Sequence, residues 1–151
     1  MKKILLLSVL AMGFSKAQFF ESTEKFTKTD SLKGSNTEFR NFWDVKKYDI
    51  ILETDFDKKS IKGSNKISLT IEKDIKNPTF QIDLQHPMKA HNITASFPIA
   101  TKKVDGDFIF LSTNKNFKKG EKFTIDIGFS GNPTIAKRAP WDGGWIFTKD
   151  K

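Results

Sequence analysis

The chain has 151 residues, 37% hydrophobic and 29% charged, which suits one folded domain and excludes a disordered chain. It has no cysteine, so disulfide staples, thiolate metal sites and a cysteine nucleophile are ruled out. The formal charge of +8 comes almost wholly from lysines interspersed with Asp and Glu, the pattern of solvated strand faces.

Residues 1–17 read as a cleavable signal peptide. Lys2 and Lys3 make a positive start, and Ile4 to Phe14 is an apolar stretch. Ser15-Lys16-Ala17 then places small residues where a signal peptidase inspects the chain, so cleavage is expected before Gln18. The apolar stretch is shorter than the roughly 20 residues a spanning helix needs, so no membrane span is expected. An exported protein, periplasmic or extracellular, is the expectation. The leader holds three lysines and no acid, so its removal lowers the charge from +8 to about +5. Residues 18–41 are polar and weakly patterned, and read as a flexible lead-in.

From Trp43 the hydrophobic period becomes two. Tyr48, Ile50 and Leu52 alternate with Asp49, Ile51 and Glu53, and Asp55 to Ser60 supplies turn chemistry. Ile61, Gly63, Asn65, Ile67, Leu69 and Ile71 then continue on one face, which predicts a long hairpin with one dry and one wet side. Four more strands follow: Thr79–Leu84, His91–Phe97, Asp107–Ser112 and the segment through Phe123, Ile125, Ile127 and Phe129. Asp105-Gly106 marks a turn, and Ser130-Gly131-Asn132-Pro133 ends the last strand. Fifteen Phe against three Trp and one Tyr provide core area without polar handles. The predicted fold is all-β: an antiparallel β-sandwich or saddle-like domain over 42–151. Ala139 to Phe147 reads as the start of another aromatic strand, which leads us to expect that the natural chain continues.

No catalytic or metal residue is assigned. A zinc hydrolase needs two imidazoles one helical turn apart, as in H-E-x-x-H. The only histidines, His86 and His91, are separated by Pro87-Met88-Lys89-Ala90, and proline there argues against a helix. Neither a G-x-S-x-G elbow nor a P-loop nor a dinucleotide fingerprint occurs. Asp55/Asp57 and Asp105/Asp107 read as turns, since the run of ligands that calcium requires is lacking. Lys58/Lys59, Lys102/Lys103 and Lys118/Lys119 read as solvated hairpin tips, so no nucleic-acid partner is expected.

Three stretches resemble, in order, the amino-terminal domain of the aminopeptidase N family of zinc metallopeptidases. They are Trp43-Asp44-Val45-Lys46-Lys47-Tyr48-Asp49 with its return strand, Gln81-Ile82-Asp83-Leu84-Gln85-His86-Pro87-Met88-Lys89, and Phe129 to Pro133 followed by Pro140-Trp141-Asp142-Gly143-Gly144. The resemblance covers about residues 39–151. It implies a non-catalytic scaffold domain of a secreted metalloaminopeptidase, cut off before the catalytic domain. Zinc and peptide substrates then belong to the full-length parent, and this chain holds no cofactor. The partner implied is the missing catalytic domain of the same polypeptide. Pro140, Trp141, Asp142, Gly143, Gly144 and Trp145 form the candidate interdomain surface, with completion of the domain's own core as the alternative for the two tryptophans. The rival to the whole reading is a stand-alone exported β-sandwich that binds glycans or a protein partner through Phe42, Trp43 and Trp145.

Overall fold

Alternation of apolar and polar residues puts side chains on opposite sheet faces, so segments such as Ile61 to Ile71 fold as strands with one buried side. A computed structural model describes residues 25–149; the expected signal peptide lies outside them. The order is a helix α1 (Lys28–Gly34), then β1 (Trp43–Asp55), β2 (Ser60–Ile71), β3 (Thr79–Asp83), β4 (Lys89–Ala95), β5 (Thr101–Asp105), β6 (Phe108–Ser112) and β7 (Lys122–Gly131). They form a four-stranded sheet, β1-β2-β7-β4, and a three-stranded sheet, β3-β6-β5. Every strand pair is antiparallel, so the expected all-β antiparallel sandwich is what the chain forms.

The core lies between the sheets. Ile67, Leu69 and Ile71 of β2 and Ile125 and Ile127 of β7 are buried in one cluster with Phe80 of β3 and Ile109 and Leu111 of β6. Phe80 is its hub: its ring lies 5.0 Å from Phe42 and from Phe97, and 5.7 Å from Phe117. Lys115 caps the rings of Phe117 and Phe123, its ammonium 4.5 and 4.7 Å from their centres.

Several expectations need correction. Residues 28–34 are helical instead of a loose lead-in. Thr27 and Asp30 close a reciprocal capping box, the Asp30 N–H donating to Thr27 Oγ1 and the Thr27 N–H to Asp30 Oδ2. Seven residues are too few for a helix to stand alone. This one docks: Leu32 is buried, and the amide of buried Gln81 donates to the Leu32 carbonyl at 3.0 Å.

On β6 the two faces of the strand divide between two layers. Ile109 and Leu111, not Phe108 and Phe110, join the central cluster. Phe108 and Phe110 lie on the outer face, where Phe39 meets Phe110 edge-on at 5.3 Å. Both faces of the strand are apolar because the N-terminal segment covers the second.

Further corrections concern Phe42, the hairpin, β5 and the C-terminal segment. Phe42 is fully buried, so it cannot serve a binding face. The dry side of the hairpin is dry only along β2; Tyr48, Ile50 and Leu52 of β1 stay exposed because β1 is an edge strand with nothing packed over it among the described residues. The strand β5, which holds Lys102 and Lys103, went unpredicted; four of its five residues are exposed, and it lacks apolar alternation. Residues 139–147 form no strand, only one isolated parallel bridge between Ile135 and Trp145.

Candidate functional site

Two stretches far apart in sequence meet at one end of the sandwich. The turn after β3 contributes Leu84, His86 and Met88, and the loop after β7 contributes Gly143, Gly144 and Trp145, to a groove of about 450 Å³. These are the second and third of the motif-bearing stretches.

Backbone geometry holds the loop closed. The Asp142 carboxylate accepts the N–H groups of Lys137 at 2.6 Å and of Arg138 at 2.8 Å. The Trp145 N–H donates to Thr134 O at 2.8 Å, and the Ala136 N–H to Trp145 O at 3.0 Å. Gly144 has φ +144°, and a Cβ there would stand 2.6 Å from Ala136 N, so this close approach requires glycine. Replacing Asp142 by Ala removes the acceptor of both N–H groups. The expected loss is about 1 kcal/mol of local stability, which should speed tryptic cleavage after Lys137 and Arg138 about fivefold. An unchanged cleavage rate would show that the loop closes without Asp142.

The six residues named from sequence divide three ways. Gly143, Gly144 and Trp145 line the groove, Asp142 clamps the loop, and Pro140 and Trp141 stand in solvent. Trp141 is 87% exposed and Trp145 37%, so neither completes the domain's own core. Trp145 stacks on Phe147 at 6.2 Å, and Phe147 meets Phe56 of the β1–β2 turn edge-on at 5.7 Å. Asn132 ties that turn down, its side-chain amide donating to the carbonyls of Lys58 and Lys59. Leu84, His86 and Met88 went unnamed as site residues, although they sit in a stretch that carried the resemblance.

Asp107 anchors the far wall. Its carboxylate pairs with the Lys33 ammonium at 2.6 Å and accepts the His86 N–H at 2.8 Å, joining α1 to the β3–β4 turn. The hydrogen bond from Lys33, then that from the His86 N–H, holds its carboxyl below the ordinary carboxylate range. A lowered folded value contributes stability above the unfolded pKa of about 4, lost as pH falls through the folded one. Asp107→Asn should therefore melt below the wild type at pH 6, and the gap should narrow as pH falls below about 4, closing once pH is below the lowered folded value. A gap independent of pH in thermal melts would remove Asp107 ionisation from the account.

The groove has no acid–base pair: no residue lining it is acidic. Among the described residues no group of three or more His, Asp or Glu comes together to hold a metal, so they do not fit a zinc site. His91 lies against Gly128, whose added Cβ would meet its imidazole. Each lysine doublet has a member paired with an acid: Lys58 with Asp55, Lys103 with Asp105 and Lys118 with Asp74. Among the described residues no helix is long and apolar enough to cross a membrane.

No protein-family model and no curated protein matches the chain. Among solved structures, an M1 zinc metallopeptidase mutant from Deinococcus radiodurans, bound to a Tyr-Ser-Ala substrate, superposes with a TM-score of 0.51 at 12% identity. The fold is shared with part of a zinc metallopeptidase. That match covers 67% of this chain and 23% of the metallopeptidase, so the chain spans only a fraction of its length. Leukotriene A4 hydrolase from Saccharomyces cerevisiae is a more distant neighbour, with a TM-score of 0.43 at 21% identity over 60% of this chain and 15% of its own.

Proposed function

We propose that the chain is the non-catalytic N-terminal β-domain of a secreted zinc metalloaminopeptidase. In this reading it is a scaffold, walling the cleft in which a separate catalytic domain removes N-terminal residues from peptides. The observation that carries the proposal is the metallopeptidase-like fold, in a chain whose motif-bearing stretches run in the family's order. Two of those stretches also wall one groove. Pro140 to Trp145 is the surface offered to the catalytic domain, since both tryptophans lie outside this domain's core. Rings left in solvent are suited to burial against a neighbour. Zinc belongs to the catalytic domain in this reading, and no reaction step is assigned to residues of this chain.

Reading the gene on past codon 151 tests the proposal. The expected result is an open frame encoding G-x-M-E-N and H-E-x-x-H, whose full-length product releases N-terminal residues from peptides and loses that activity to a chelator. A frame that closes at Lys151 overturns the proposal.

A further inference from the structure

The two sheets have four edge strands, and three of them are blunted. β3 and β5 are five residues each; β3 follows Pro78, and β5 carries Lys102 and Lys103. The ladder of β4 with β7 is interrupted between His91 and Thr94. Shortness, proline, lysine and bulges all discourage a foreign strand. β1 is different. It runs thirteen residues without proline, and after an irregularity at Val45/Lys47 its pairing with β2 is continuous. Its other side has no partner among the described residues. Tyr48, Ile50, Ile51 and Leu52 are 56, 60, 68 and 42% exposed. An exposed apolar edge of this length is a template for another strand.

The residues along the edge point to its occupant. Lay two copies of β1 antiparallel about a two-fold axis through Ile50. On the face shared with Ile67, Ile50 meets Ile50 and Tyr48 meets Leu52 of the second copy. On the reverse face Lys47 meets Glu53, twice by symmetry, and Asp49 meets Ile51. Directly opposed pairs of this kind are the units that stabilise a sheet, and like charges opposite one another destabilise it. Sliding the register by one pair sets Asp49 opposite itself in one direction; in the other, Asp49 meets Glu53 while Lys47 meets Asp55, so repulsion and attraction offset. Of these registers, only the one centred on Ile50 therefore pairs opposite charges with no like charges facing each other.

We propose that β1 is a self-association edge: two copies pair antiparallel about Ile50, running the four-stranded sheet of one into that of the other. The interface is isologous, as two-fold dimers require. The present partners of the two charges, Asp49 for Lys47 and Lys62 for Glu53, are solvent-exposed ion pairs that can rearrange at small cost. The inference stands on the edge alone and does not rest on the metallopeptidase reading.

Sedimentation equilibrium on the chain from Gln18 onward tests it. A reversible monomer–dimer equilibrium is expected. Lys47→Glu and Glu53→Lys should each weaken the dimer about tenfold or more, because each substitution places two like-charged pairs across the axis. The double variant should recover to within about threefold of wild type, and Ile50→Lys should abolish the dimer. A protein that stays monomeric up to about 1 mM overturns the proposal. So does a double variant no tighter than the single ones. Should Ile50→Lys lose its β-sheet circular dichroism, the charge variants decide alone, since both side chains are exposed.

Discussion

Phe80→Ala is expected to cost about 3–5 kcal/mol of folding stability, the range for truncating a fully buried aromatic ring. Phe80 has no exposed surface, and its ring touches four others: Phe42, Trp43, Phe97 and Phe117. Those four come from the segment before β2, the connection after β4 and the connection before β7, so one truncation loosens several junctions of the sandwich. The cavity cannot close easily, because two β-sheets packed face to face move as units and interiors are near crystal density. The midpoint of thermal unfolding should fall by roughly 10–20 °C. Phe80→Leu, which keeps most of the volume, should cost less than half as much. If the alanine variant loses under about 1 kcal/mol, Phe80 is not the hub of this core.

Gly63→Ala should be destabilising by about 3 kcal/mol, although alanine ordinarily improves on glycine within a strand. Gly63 sits in mid-β2, opposite Leu52 of β1 and Phe129 of β7. A Cβ there would overlap the Ile51 carbonyl oxygen and lie 3.1 Å from Phe129 Cζ. The ring could swing away, but the carbonyl is backbone and can yield only if β1 separates from β2. Urea unfolding checks this: the midpoint should fall with the slope unchanged. A neutral or stabilising result would mean that β1 does not run this close to Gly63. Because β1 is also the proposed pairing edge, a folded Gly63→Ala chain should dimerise more weakly than wild type.

These two residues show different degrees of legibility. Phe80 is legible in the sequence, where it alternates with Ile82 and Leu84 through the predicted strand Thr79–Leu84. Gly63 also lay on a predicted strand face, but nothing in its neighbours announced that a backbone carbonyl from another strand would fill the place of its side chain. The same holds at the groove. Two stretches were recognisable for their residue order, yet only folding brings Met88 and Trp145 to one cavity. Asp107 read as half of a tight turn, and its grip on Lys33 and the His86 N–H depends on a helix that the pattern did not reveal.

The sequence by itself determined that the chain is antiparallel β, where most strands run and where turns such as Asp105-Gly106 fall. Those features are local: alternation and turn chemistry act within a few residues. It also carried the order of the motif-bearing stretches. Only the tertiary structure decided which side of β6 enters the core, that α1 covers the other side, and that Tyr48, Ile50 and Leu52 remain exposed along β1. The physical reason is that alternation shows which residues share a face but not what packs against it. Cover is supplied by segments distant in sequence, and a seven-residue helix or an exposed strand such as β5 becomes ordered only by docking on what is already folded.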